Sequence, residues 1–164
     1  MKIVKIEKNR KKEKIIWGLK PGISLKKLES IQGGMAQFYT PQSSDETMLV
    51  QVPRGTIDEL FVHHFQTDQL LVVRGSFILV ALHNRRYDYI PLSEHNPQVI
   101  TIPPGVPHGA INLSSEDCLL VNAVLRHGES HPLDYRPMKP PFPYDFNKIH
   151  TMLETIEKKA TVVS

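Results

Sequence analysis

The chain has 164 residues and a single cysteine, Cys118. One thiol excludes an internal disulfide framework and suits a reducing compartment. It lies in the apolar run Cys118-Leu119-Leu120-Val121, the setting of a buried, inert thiol rather than a nucleophile. Long apolar runs are missing too. Charges interrupt every apolar stretch of the N-terminus, so neither a membrane span nor a signal-peptide core is expected. A soluble, cytoplasmic protein with no membrane partner is the expectation. Tryptophan occurs once, at Trp17, and no other aromatic ring interleaves with the N-terminal lysines, which argues against base stacking and nucleic-acid binding. Internal repeats and low-complexity tracts are absent.

The net charge of +3 hides an asymmetry. Residues 1–27 hold ten Lys and Arg against Glu7 and Glu13, a surplus of eight, whereas residues 28–164 carry a deficit of five. The basic end reads as a solvated leading edge. The length fits one domain able to bury a core.

Short apolar or alternating runs recur between turn residues. They are Ile15–Trp17, Met35–Tyr39, Met48–Val52, Leu60–Phe65, Leu70–Val73, Phe77–Leu82, Tyr87–Ile90, Val99–Ile102 and Leu119–Leu125. Many short strands at this spacing predict an all-β sandwich or barrel. His83-Asn84-Arg85-Arg86 reads as a hairpin loop. The five prolines between Pro132 and Pro143 exclude a helix and predict an extended surface crossing. Beyond it Asp145 is placed to cap a helix over about 145–159, where Ile149, Met152, Leu153 and Ile156 share one face. Glu154 and Lys158 form a favourable pair on it.

Two clusters carry chemistry. The first is Val62-His63-His64-Phe65-Gln66-Thr67-Asp68, running into Leu70–Gly75; the second is Pro103-Pro104-Gly105-Val106-Pro107-His108-Gly109-Ala110-Ile111-Asn112. Alternate strand residues share a face. On one continuous strand His64 and Gln66 point one way and His63 the other, beside Phe61 and Phe65. Register decides which histidine looks inward. His83, His95, His127, His131 and His150 lie in loop or helix contexts and read as surface groups, and Arg74 reads as a solvated turn residue.

These clusters resemble the two motifs of the cupin superfamily. The first cupin motif has two histidines on alternate residues, then a glutamate, then a glycine. Aligned on Gly75, Asp68 takes the glutamate position, His64 the second histidine and Val62 the first. The second motif, PxGxxHxxxN, is met by Pro103, Gly105, His108 and Asn112, with Pro97 in place of the preceding glycine. The resemblance implies a single domain over 1–164: a double-stranded β-helix, or jelly-roll barrel, over about 15–126, the proline-rich crossing at 132–143 and the C-terminal helix.

Within the superfamily the chain is similar to the dTDP-4-dehydrorhamnose 3,5-epimerases and related nucleotide-sugar isomerases from about Trp17 to Leu125. The similarity lies in His64-Phe65-Gln66, Leu92–Asn96, Ile102–Gly109 and Leu113-Ser114, with Gly33-Gly34 where the family has Arg-Gly. It implies His64 as the base beside a sugar ketone, His108 as the partner of the enolate oxygen, and Gln66, Asp68 and Asn112 as substrate-binding residues. It further implies no cofactor, a small-molecule substrate such as a nucleotide sugar, and a homodimer. The chain departs from the family at Asp68, where a lysine is expected, and near Leu125-Arg126, where the expected tyrosine is absent and Tyr135 is a distant substitute. Two other readings stay open. His64, Asp68 and His108 form a two-histidine, one-carboxylate set suited to Fe, Mn, Ni or Zn in a dioxygenase or isomerase. The third reading is a non-catalytic cupin that binds a sugar or small acid.

Overall fold

The computed structural model describes residues 22–31, 36–38, 44–129, 132 and 134–161. The expected strand at Ile15–Trp17, most of the basic N-terminal stretch, Gly33-Gly34 and His131 lie outside them.

Two antiparallel sheets face each other. The first runs in the order β1 (Ser24–Lys27), β10 (Gln98–Ile102), β7 (Gln66–Arg74), β12 (Cys118–Arg126), β4 (Glu46–Val52). The second runs β13 (Arg136–Met138), β6 (Leu60–Val62), β11 (His108–Asn112), β8 (Ser76–His83), β9 (Arg86–Ser93), with β5 (Thr56–Ile57) also paired to β11. The chain crosses between the sheets repeatedly, from β4 to β5, β6 to β7, β7 to β8, β9 to β10, β10 to β11, β11 to β12 and β12 to β13. β2 (Glu29–Ile31) and β3 (Ala36–Phe38) form a separate hairpin. The cupin-type barrel with its C-terminal helix is therefore present.

The core follows from alternation. Leu70 and Val72 of β7 and Leu120 of β12 meet Phe77, Leu79 and Ala81 of β8 between the sheets. The other face of β8 presents Ile78 and Val80, which pack with Leu60, Ile111 and the helix residues Ile149 and Leu153. Burying Ile149 and Leu153 contributes roughly 1.5–3 kcal/mol each. The helix, α1 (Phe146–Thr161), starts where expected, because Asp145 Oδ1 accepts the Lys148 N–H at 3.0 Å. No described helix is long and apolar enough to cross a membrane.

Turn chemistry closes the strands. Asn84 and Arg85 adopt positive φ of 45° and 59°, the two-residue turn that matches strand twist. Gly75 sits at φ 79° with the Asp117 carbonyl 2.7 Å from any added Cβ, so only glycine fits. The proline-rich run lies against the second sheet: Tyr87 Oη donates to the Phe142 carbonyl at 2.8 Å, Tyr144 Oη donates to the Asp58 carbonyl at 3.0 Å, and Pro137 sits in the edge strand β13, where a missing N–H is tolerated.

One expectation fails here. Leu60–Phe65 reads as a single strand, but β6 ends at Val62 and β7 begins at Gln66 in the other sheet. The corner between them is pinned on three sides. The His63 carbonyl accepts the Gly105 N–H, the Phe65 carbonyl accepts the His127 N–H, and Asp134 takes the N–H groups of His64 and Phe65. These backbone groups, satisfied off the ladder, make a bend as acceptable as a strand.

Candidate functional site

The bend reverses the inward parity of the first cluster. His108 lies opposite Phe61 on β6 and opposite Ala81 on β8, and Ala81 belongs to the core between the sheets. His108 and Phe61 therefore face the barrel interior. His63 follows Phe61 on that side: its ring centroid lies 5.4 Å from Phe61 and 6.2 Å from His108. Tyr135 joins them from beside β13. The pairing of Arg136 with Val62 and Pro137 with Phe61 continues to bring Tyr135 across from His63, ring to ring at 5.8 Å. His108 is 4% exposed and Tyr135 57%, so the group runs from the barrel floor to its rim.

His64 is exposed, with its ring beside that of exposed Phe65. The imidazole facing His108 is that of His63, not that of His64.

His63 is backed by a carboxylate. Asp134 Oδ2 stands 3.5 Å from His63 Nδ1, which is buried and makes no hydrogen bond. This is within ion-pair reach and slightly long for a hydrogen bond. Asp134 Oδ1 accepts the His64 N–H at 2.8 Å and the Phe65 N–H at 2.7 Å. Burial pushes this carboxyl up, yet those two N–H groups, with the charges of His63 and Arg126, outweigh it and hold the group below the ordinary aspartate range.

The facing wall is the first sheet. Gln66 and Asp68 point inward with Leu70. Asp68 Oδ1 accepts from Gln66 Nε2 and from Asn122 Nδ2, each at 2.8 Å. Its Oδ2 lies 3.7 Å from His108 Nε2, so the pair bridges the two sheets at the floor. His108 Nδ1 donates to the Val106 carbonyl at 2.8 Å, since a carbonyl only accepts. The ring thus turns Nε2 toward Asp68. At the mouth, Arg126 pairs in register with Gln66, and its Nη2 holds Glu46 Oε1 at 2.7 Å.

The other candidates divide. Gln66, Asp68 and His108 come together as expected. Asn112 does not join them. It is fully buried at the far end, where Nδ2 donates to the Val52 and Glu116 carbonyls and Oδ1 accepts from Ser114 N and Oγ. It closes a turn and has no polar atom left for substrate. The metal set of His64, Asp68 and His108 is not assembled: His64 faces outward, Asp68 Oδ1 already takes two amide N–H groups, and no three His, Cys, Asp or Glu among the described residues are placed to hold an ion. These residues do not fit a metal.

Sequence reasoning missed Asp134 and Asn122 and discounted Tyr135. Asn122 carries a readable signal, a polar residue in the inward alternation Leu120, Asn122, Val124. Asp134 and Tyr135 carry none, because only the return of the proline-rich run to β6 brings them to the site.

No protein-family model and no curated protein matches this chain. Solved structures do. A dTDP sugar isomerase from Desulfovibrio desulfuricans shares 18% identity over 78% of this chain and 88% of that one, with a TM-score of 0.60. A dTDP-4-dehydrorhamnose 3,5-epimerase from Sulfolobus tokodaii shares 21% over 78% and 85%, TM-score 0.61. A 3'-monoepimerase from Streptomyces bikiniensis, in complex with dTDP, shares 12% over 77% and 76%, TM-score 0.62. The chain thus has the cupin fold of the nucleotide-sugar epimerases.

Proposed function

We propose that this protein is an epimerase- or isomerase-type enzyme that moves a proton next to the ketone of a nucleotide-linked keto sugar, with His63 as base. The observation that carries this reading is an inward imidazole, His63, backed by Asp134 and placed beside His108 and Tyr135. A proton on carbon next to a ketone is removed only by a positioned base acting together with a partner for the developing oxyanion. Asp134 steadies the positive charge that His63 gains. Tyr135 is the hydroxyl acid and His108 the polar partner at the floor, with Gln66 and Asp68 holding the facing wall. The exposed Tyr135 ring and the Arg126 guanidinium mark the end of the barrel where a nucleotide diphosphate enters. The solved structures of this fold whose names refer to dTDP sugars support that substrate class.

The reading also places a second copy on the outer face of the first sheet. There Leu71, Val121 and Leu49 form one apolar row in register, ending on the edge strand β4 with Leu49 74% exposed. A capped edge and a covered row favour a homodimer.

The test is solvent-deuterium incorporation into a panel of nucleotide-linked 4-keto-6-deoxy sugars. Wild type is expected to exchange a ring proton, His63→Ala to lose that rate by about 10²–10⁴-fold, and His64→Ala to keep it. No exchange by wild type, or equal exchange by His63→Ala, overturns the proposal.

A further inference from the structure

Carboxylates gather at this end of the barrel with few cations to answer them. Asp68 comes from β7, Glu46 from the start of β4, and Asp134 stands behind His63. The Arg126 guanidinium at the mouth is already held by Glu46 at 2.7 Å. Asp68 is the most buried of the three, 3% exposed, and only half of its carboxylate is committed. Oδ1 accepts from Gln66 Nε2 and Asn122 Nδ2, each at 2.8 Å. Those amides are donors without charge. Among the described residues Oδ2 receives no hydrogen bond and no lysine or arginine pairs with it. Its charge partner is His108, whose Nε2 lies 3.7 Å away, beyond hydrogen-bond length. A buried carboxylate oxygen without a donor is costly, so it selects what the site accepts. An anionic group there is repelled, and a hydroxyl gives one neutral hydrogen bond. An ammonium group brings three donors and the missing charge, and charge-assisted bonds are about twice as strong as neutral ones.

We infer that the protein selects an amino sugar: a nucleotide-linked keto sugar with an ammonium group beside the ketone, seated on Asp68 Oδ2. The inference rests on the proton-transfer reading above and names the substrate class of that site. In that reading the nucleotide lies at the rim, by exposed Tyr135 and Arg126, and is joined to C1 of the sugar. C3 and C4 lie across the ring from C1, so their substituents reach toward the floor, where Asp68 and His108 stand. A ketone on one of these carbons and an amine on the other bring both groups to that end. The enolate makes the same demand. Negative charge developing beside Asp68 is repelled, and an ammonium group between the two offsets it. Gln66 and Asn122 grip the carboxylate by its other oxygen, which leaves Oδ2 to the substrate. Asp68 is thus a specificity-determining residue that moves no proton itself.

The experiment is calorimetric titration of the whole wild-type protein at neutral pH with three ligands that lack the ketone and do not turn over. They are dTDP-3-amino-3,6-dideoxyglucose, its 3-acetamido form and dTDP-6-deoxyglucose. The amino sugar is expected to bind about tenfold or more tightly than the hydroxyl sugar. Acetylation removes the charge at the same carbon and is expected to abolish the preference. Asp68→Asn keeps the size and a neutral acceptor, and is expected to bind the amino and hydroxyl sugars alike. Equal binding of those two by wild type, or an acetamido sugar held as tightly as the amino sugar, overturns this inference and leaves the proton-transfer reading standing. So does a preference that survives in folded Asp68→Asn. Should that variant not fold, the wild-type comparison decides alone. Failure of all three ligands to bind overturns the nucleotide-sugar substrate class and this inference with it.

Discussion

Asp134 joins stability to the site, and its removal has a calculable effect. Its Oδ1 accepts two backbone N–H groups at 2.7 and 2.8 Å, which hold the corner that turns β6 into β7. A hydrogen bond to a charged acceptor contributes roughly 1.5–3 kcal/mol. Asp134 is buried, but His64 and Phe65 are exposed, so their freed N–H groups regain water and the loss falls at the low end. Asp134→Ala is expected to cost about 2–3 kcal/mol, or about 5–10 °C of melting temperature for a domain of this size. Asp134→Asn keeps a neutral acceptor and is expected to cost about 1 kcal/mol. The pH dependence has a definite sign. The native carboxyl lies below its ordinary value of 3.8, so the ionised form is favoured in the fold. Its contribution is complete above that ordinary value and is lost as pH falls through the lower native one. The gap between wild type and Asp134→Asn should therefore narrow below about pH 4. Urea unfolding at a series of pH values from about 3 to 7 measures both effects. Refutation would be an alanine variant within about 0.5 kcal/mol of wild type at neutral pH, or a wild-type–asparagine gap unchanged from pH 7 to pH 3.

Asn112→Ala is expected to lower stability by about 2–4 kcal/mol, since it strands the buried Val52 carbonyl along with the Ser114 turn, while exchange activity per folded molecule is kept. Urea melts beside exchange assays check it, and lost activity in a folded variant would return Asn112 to the site. Burial, with the charges of Glu94 and Glu116, pushes the Cys118 thiol up to about 12, and the residue is fully buried. Native protein is therefore expected to resist a thiol reagent near pH 8 and to react fully once unfolded, and labelling of native protein at the unfolded rate would contradict that placement.

Much of the barrel is legible in the chain. Short apolar runs mark Leu70–Val73, Phe77–Leu82 and Leu119–Leu125, and each lies within a strand of the structure. Asp145 and the spacing of Ile149 and Leu153 mark the helix and its buried face. His108 is legible as well, because its glycine- and proline-bracketed motif leaves it one inward position. The short strands β1 and β5 are less legible, since Ser24–Lys27 and Thr56–Ile57 carry too few apolar residues to show a period. Asp134 and Tyr135 lie beyond any local pattern, because their approach depends on where an extended segment returns.

The histidine pair divides what belongs to the sequence from what belongs to the fold. The sequence by itself determined a barrel in which one of two adjacent histidines looks inward and His108 answers from a distant strand. It also put Gln66 and Asp68 on alternate positions of one run, a face that the structure turns inward with Leu70 and Val72 of β7. Only the tertiary structure decided that the inward histidine is His63. Alternation counts faces along one strand, and this segment is two strands in two sheets. The three-residue corner between them breaks the count, and its N–H groups find their acceptor in Asp134, a residue 70 positions away from His64. The same carboxylate that makes the bend possible stands behind the histidine that the bend turns inward, so the corner and the site have one physical cause.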